Sequence, residues 1–244
     1  MSLELSAVSH SYAKDAPKIL DRVDLEVPSG SAIGLVGPSG AGKSTLLAIA
    51  SLLLAPSEGK LRIDGQPVPA RGRVPATLRQ RIGILPQNPR SFANPRLTLG
   101  ATMAEPLALR DGLVLPRPGR YRRELEELAR EASLDPELLA RKPAQVSDGQ
   151  LQRALLGRAL ALDPALLVCD EPTAALDPGT TAQIFTVLRE RASAGAAVLI
   201  ASHDRASLAE HCDKIHQLSA LQRADEASLP GLPAQMPSDD VERT

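Results

Sequence analysis

Eight consecutive residues, Gly37-Pro38-Ser39-Gly40-Ala41-Gly42-Lys43-Ser44, constrain this chain more than any other stretch. They fit the spacing G-x-x-x-x-G-K-[ST] and lie between an apolar run, Ser31 to Val36, and a second one from Lys43 to Leu54. That setting predicts a buried strand, a glycine-rich turn and a helix. Glycines let backbone N–H groups curl around an anion, and the helix N-terminus adds the positive end of its dipole. Lys43 is placed to reach the β- and γ-phosphates of a nucleotide, and the Ser44 hydroxyl to ligate Mg²⁺. The expected binding set is Gly37, Pro38, Ser39, Gly40, Ala41, Gly42, Lys43, Ser44 and Thr45.

A nucleotide site also needs a group that holds the metal and one that activates water. The run Leu166-Leu167-Val168-Cys169-Asp170-Glu171 reads as a buried strand ending in two carboxylates. Asp170, at the strand end, suits Mg²⁺, and Glu171 suits polarisation of an attacking water.

Around these motifs the pattern is α/β. Residues 3–12 and 19–27 read as strands of an N-terminal antiparallel β-layer, and 82–85 as a further strand. Residues 56–66 read as turn, short strand and turn, and 67–80 as loop. From Asn88 to Val146 helical periodicity takes over, with Leu125, Leu128, Ala129 and Ala132 on one face. A helix from Ser147, a strand at 166–169, a helix over 180–192 and a strand at 197–202 restore the grammar of a parallel sheet. The expected architecture is a P-loop NTPase core with a parallel sheet, the antiparallel layer, and an inserted α-helical subdomain over 88–158. The folded domain is expected over 1–218, with a Pro- and Ser-rich, poorly ordered tail at 219–244.

Composition narrows the function. With 28 basic and 29 acidic side chains among 244 residues, the chain lacks the basic excess of a nucleic-acid binder. Two cysteines, Cys169 and Cys212, make no disulfide framework and suit a reducing compartment. The start, MSLELSAVSHSY, has no basic-then-apolar segment, and no apolar run approaches the ~20 residues of a membrane span. The cytosol, or the cytosolic face of a membrane, is expected.

Further short elements fall in a fixed order: Tyr12; Gln87 in GILPQNP; Val146-Ser147-Asp148-Gly149-Gln150 before a helix; Ala175-Leu176-Asp177; and His203 in LIASHD. With the two motifs above, this series resembles the ATP-binding cassette of ABC transporters over residues 3–218. The resemblance implies that Tyr12 stacks on adenine, although a core aromatic of the β-layer is the alternative. It implies that Gln87 touches Mg²⁺ and the attacking water, that His203 holds the γ-phosphate and supports Glu171, and that Asp177 works at a dimer contact. A helix N-cap is the other reading of Asp177. Ser147, Asp148, Gly149 and Gln150 would act in trans on ATP held by a facing cassette, and Ser147 also reads as an N-cap.

One position departs from the family's Ser-Gly-Gly-Gln: Asp148 stands where the first glycine is usual. A carboxylate there repels a triphosphate unless it turns outward. A pairing with a second, non-identical cassette is therefore expected.

The stretch QNPRSFANPRLTLGATMAEPL resembles the peptide/nickel importer branch, with Asn94, Pro95, Arg96, Thr98, Gly100, Glu105, Pro106 and Leu107 in place. This surface is expected to receive a coupling helix. The resemblance implies an ATP-hydrolysing importer subunit, peripheral at the cytoplasmic face of the cell membrane, using ATP and Mg²⁺. Its partners would be two membrane-spanning permease subunits and an extracytoplasmic solute-binding protein, with no nucleic acid. The cargo class is peptide, nickel or metal chelate. An exporter subunit and a soluble non-transport cassette are the alternatives.

Overall fold

The computed structural model describes residues 2–13, 16–69, 74–174 and 176–222. Strands β1 (Leu3–His10) and β2 (Leu20–Val27) pair antiparallel, as do β1 and β4 (Glu58–Ile63), and β4 and β5 (Gln66–Val68). They form one sheet in the order β2-β1-β4-β5. The second sheet is parallel, built from β3 (Ala32–Val36), β6 (Ile82–Leu85), β7 (Leu166–Asp170), β8 (Ala197–Ala201) and β9 (Lys214–Gln217), in the order β6-β7-β8-β3-β9.

The central strands β3, β7 and β8 are buried on both faces, and their alternation divides the core in two. Ile33, Leu35, Leu166, Val168 and Leu199 face the antiparallel sheet and helix α1 (Lys43–Ala50), where they meet Leu46 and Ile49. Ala32, Leu167, Cys169, Val198 and Ile200 face the other way, toward a cluster containing Leu151, Leu155 and Phe185. Those three belong to α6 (Asp148–Leu160) and α7 (Pro178–Ser193). Full burial on this face pushes the Cys169 thiol well above its ordinary value, so it stays protonated and serves as a small apolar side chain.

The remaining helices are α2 (Ala76–Arg79), α3 (Pro89–Phe92), α4 (Leu99–Arg110), α5 (Arg122–Glu131), α8 (Arg205–His211) and α9 (Leu218–Leu221). Helix α5 turns Leu125, Ala129 and the following Ala132 into the core, as its periodicity predicts. Helix α6 rests directly on β6: a β-carbon at Gly83 would lie 2.5 Å from the Ala159 carbonyl oxygen. Only glycine permits that approach.

Three expected boundaries move. Helix α1 ends at Ala50 rather than near Leu54, because Leu52 turns left-handed (φ 61°). The amides of Leu53 and Leu54 then both fold back onto the Ala48 carbonyl, satisfying a carbonyl that the helix end leaves open. The expected loop at 67–80 contains the end of β5 and the single turn of α2. The fold also runs beyond residue 218, through α9 to an isolated bridge between Gln222 and Val23. The rest of the expected tail, residues 223–244, lies outside the described residues, as does Ala175. Among the described residues no helix is long and apolar enough to cross a membrane.

Candidate functional site

Four parallel strands deliver their functional residues at one edge, the carboxyl ends, where open α/β sheets bind ligands. The glycine-rich loop follows β3, Gln87 follows β6, Asp170 and Glu171 end β7, and His203 follows β8. A cavity of about 340 Å³ opens there, lined by Ile19, Ser39, Gly40, Gly42, Lys43, Ser44, Thr45, Gln87, Asp170 and Glu171. Residues from four distant stretches of sequence thus share one wall.

The loop is held open by its own lysine. Lys43 is 9 % exposed, and its Nζ donates to the carbonyls of Gly37 (2.7 Å) and Pro38 (3.2 Å). Gly42, the N-cap of α1, is left-handed (φ 100°), and a β-carbon there would lie 2.9 Å from both Ile19 O and Leu20 Cδ2. Gly42→Ala is therefore expected to lower Tm by roughly 2–12 °C in thermal unfolding. A left-handed non-glycine costs about 1–3 kcal/mol, and at this size 1 kcal/mol shifts Tm by about 2–4 °C. An unchanged Tm contradicts the steric argument.

Asp170 has a buried oxygen, Oδ1, with no hydrogen-bond partner among the described residues. Burial pushes its carboxyl above the usual range; the Ser44 hydroxyl opposes the rise, the Glu171 charge adds to it, and Lys43 opposes it. A desolvated carboxylate oxygen with an adjacent hydroxyl is the donor set that a hard cation takes. Among the described residues no group of three His, Cys, Asp or Glu side chains could hold a metal. Mg²⁺ is commonly held by one or two protein oxygens, with substrate phosphates and water completing its shell, and Asp170 with Ser44 supplies such oxygens. The residues present fit the metal.

Glu171 is bent away from Asp170 by its backbone. It is left-handed (φ 43°), a conformation a non-glycine holds only where its surroundings enforce it. Its amide donates to Ala201 O (2.8 Å), and its Oε2 accepts from the His203 amide (3.2 Å) and lies 2.8 Å from His203 Nδ1. Glu171 is 7 % exposed, whereas the His203 side chain is 74 % exposed. The pair thus sets one buried carboxylate beside an imidazole open to a ligand.

Tyr12 is 71 % exposed, which removes the core-aromatic reading. Its hydroxyl lies 2.9 Å from Thr45 Oγ1, and its ring meets His10 edge-on at 5.0 Å. Asp177 is the N-cap of α7: it accepts from the Thr180 amide (2.9 Å) and hydroxyl (2.7 Å), and these bonds hold its carboxyl below the usual range. Arg153 of α6 donates to the same Thr180 hydroxyl (2.6 Å), tying the starts of α6 and α7 together.

Ser147, Asp148, Gly149 and Gln150 do not line the phosphate cavity of their own chain. Ser147 caps α6 in a reciprocal box: its Oγ accepts from the Gln150 amide (3.2 Å), and Gln150 Oε1 accepts from the Ser147 amide (3.0 Å). The serine hydroxyl keeps its proton free to donate. Asp148 forms an ion pair with Arg90, Nε to Oδ1 2.6 Å.

Sequence reasoning missed Gln152. It is 2 % exposed, and its amide donates to Pro86 O (3.1 Å) and Pro172 O (2.9 Å), tying together the chain on either side of Gln87 and Glu171. Its place two residues after Gln150 on α6 was the available signal.

Several matched positions of the 88–107 stretch have structural work. Asn94 accepts from the Arg96 amide (3.0 Å), Thr98 caps α4, Glu105 pairs with Arg158 (3.0 Å), and Gly100 and Leu107 are buried in α4. Pro106, Leu109, Arg79, Ile84 and Arg158 line a largely apolar groove of about 390 Å³ between α4, β6 and α2.

A profile described as ABC transporter matches residues 20–174. The chain belongs to the ABC transporter family. The energy-coupling factor transporter ATP-binding protein EcfA2 of Symbiobacterium thermophilum is 33 % identical over 218 residues, covering 88 % of this chain and 74 % of the relative. The Fe(3+) ions import ATP-binding protein FbpC of Pseudomonas fluorescens is 38 % identical over 216 residues, covering 88 % of this chain and 58 % of the relative. Against relatives named for iron(III), methionine and peptide import, the chain spans between 50 % and 65 % of their length. The dimeric post-hydrolysis cassette MJ0796, bound to ADP and Pi, covers 88 % of this chain and 93 % of its own at 28 % identity, with a TM-score of 0.77. This cassette is thus an ATP-binding domain of ABC type, and its enzyme class is ATPase.

Proposed function

We propose that this chain is the ATP-binding and ATP-hydrolysing subunit of an ABC importer, working at the cytoplasmic face of a membrane to energise uptake of a small solute. The observation that carries it is the single cavity in which Lys43, Asp170 with its unpartnered oxygen, and Glu171 meet, with His203 held against Glu171 just outside that lining.

Lys43 leaves the Gly37 and Pro38 carbonyls for the β- and γ-phosphates, and the loop amides and the start of α1 cradle the rest. Tyr12 offers its exposed ring to adenine. Asp170, Ser44 and Gln87 would hold Mg²⁺, which supplies charge neutralisation at the phosphoryl oxygens. Glu171 accepts a proton from the attacking water, and His203 orients Glu171 while facing the γ-phosphate. Ser147, Gly149 and Gln150 donate to the nucleotide of a facing cassette, and Asp177 lies at that contact. Asp170→Asn is expected to raise the Mg²⁺ concentration needed for nucleotide binding about tenfold or more. It should also raise Tm, since it removes a buried carboxylate with an unpartnered oxygen. An unchanged Mg²⁺ dependence removes Asp170 from the metal site.

The ATPase domain is taken to run past residue 218 to the bridge at Gln222, with 88–158 as its inserted helical subdomain. The groove between α4, β6 and α2 suits a coupling helix of a permease subunit. Relatives named for import support the direction of transport. The 88–107 stretch supports the peptide/nickel branch, and hence peptide, nickel or metal chelate as cargo. The partners are a second cassette, two permease subunits and an extracytoplasmic solute-binding protein. The pairing of Asp148 with Arg90 weakens the case that the second cassette must differ in sequence.

Affinity capture of the tagged full chain from detergent-solubilised native membranes tests this reading. Recovery of two permease subunits and a solute-binding protein is expected. A chain recovered alone in the soluble fraction overturns the importer and favours a non-transport cassette.

A further inference from the structure

Arg90 stands three residues after Gln87, yet all three guanidinium nitrogens bond to the signature loop and the turn before it. Nε pairs with Asp148 Oδ1 at 2.6 Å, Nη1 donates to Pro143 O at 2.9 Å, and Nη2 donates to Val146 O at 3.0 Å. The backbone beneath it is fixed as well: Asn88 Oδ1 accepts from the amides of Arg90 and Ser91, both at 3.2 Å, and closes the turn of α3. At the other end of that turn, Phe92 lies under the Arg158 guanidinium, 5.2 Å from ring centre to Cζ. Arg158 is on α6, so α3 is fastened to both ends of the helix that begins with the signature.

Taken alone, a half-exposed ion pair contributes little to stability. A planar fork that engages one carboxylate and two carbonyls from a single short arc of chain is different, because it fixes position. It also answers the departure at residue 148. The carboxylate does not stand unpaired beside the anion-binding start of α6; its charge is matched by Arg90. A glycine at 148 would leave the two carbonyl bonds but no charged anchor.

We propose that Arg90 and Asp148 form a positioning latch between the segment after Gln87 and the signature loop, one that sets Ser147 and Gln150 for the nucleotide of the facing cassette. The role toward nucleotide rests on the function proposed above; the latch itself does not. Movement at Gln87 then reaches the signature through α3 rather than through the whole subdomain. Asp148 is an added strut in this chain, not a defect.

The test uses the full chain with Arg90→Ala, Arg90→Lys, Asp148→Gly, Asp148→Glu and the Arg90→Ala/Asp148→Gly double variant. In the nucleotide-free chain, amide hydrogen exchange over residues 143–150 is expected to speed about fivefold or more in R90A and D148G, with residues 43–50 unchanged. In the captured complex, kcat for ATP is expected to fall about five- to tenfold in each, with KM changed less than about twofold. The double variant should lie within about twofold of the worse single, because the two side chains act as one unit. Asp148→Glu should stay within about twofold of native, whereas Arg90→Lys, which keeps the charge but loses the fork, should resemble R90A. Unchanged exchange overturns the latch. Unchanged or raised kcat in D148G, or full additivity, overturns its positioning role. A native complex without ATP turnover overturns the function reading and the positioning role with it, while the exchange result still decides whether the latch exists.

Discussion

Glu171→Gln is expected to bind Mg-ATP with native affinity and to lose turnover by about a hundredfold or more. The backbone at 171 is held left-handed, and the carboxylate is buried against His203, so an isosteric amide keeps the geometry while losing the basic oxygen. A base acting on the attacking water contributes about 10²–10⁴-fold. With hydrolysis blocked, ATP remains between the facing cassettes, and the closed dimer accumulates. Sedimentation of the full chain with Mg-ATP reads both effects: a dimer that persists in E171Q and dissipates in the native chain. Native turnover in E171Q would falsify the role of Glu171.

Lys43→Ala should act a step earlier, on binding itself. In the nucleotide-free chain Lys43 bridges two carbonyls of its own loop, so the variant loses both the phosphate contact and the brace that shapes the cradle. Charge-assisted hydrogen bonds are worth about 1.5–3 kcal/mol each, and two of them correspond to an affinity loss of roughly 10²-fold or more. Calorimetric titration with Mg-ATP measures it directly. Affinity within about threefold of native contradicts the cradle.

Most of the phosphate site was legible in the sequence because its chemistry is local. Gly37 to Thr45 lie in one turn and the start of one helix, and Asp170 and Glu171 lie at the end of one apolar strand, so their proposed roles can be read from neighbours in the chain. Ser147 read correctly as an N-cap for the same reason, since a cap needs only the next three residues. What the sequence left open depended on groups far apart in the chain. The exposure of Tyr12 is set by how β1 passes the start of α1, which no local pattern encodes. Gln152 looks like an ordinary helix residue until α6 packs against β6 and brings it to Pro86 and Pro172. Asp148 looked like a liability because its partner, Arg90, is fifty-eight residues away. The end of α1 was overextended for a different reason: the apolar run continues to Leu54, but Leu52 reverses the chain while staying in the core. Leu53 in the same run is exposed, so hydrophobicity there reports neither helix nor uniform burial.

The most direct test of the central claim is phosphate release from Mg-ATP by the complex captured through this chain, assembled with either the native chain or E171Q. The account predicts Mg²⁺-dependent release that falls about a hundredfold when this chain carries the substitution. Release that continues undiminished would place hydrolysis elsewhere in the complex and contradict the account.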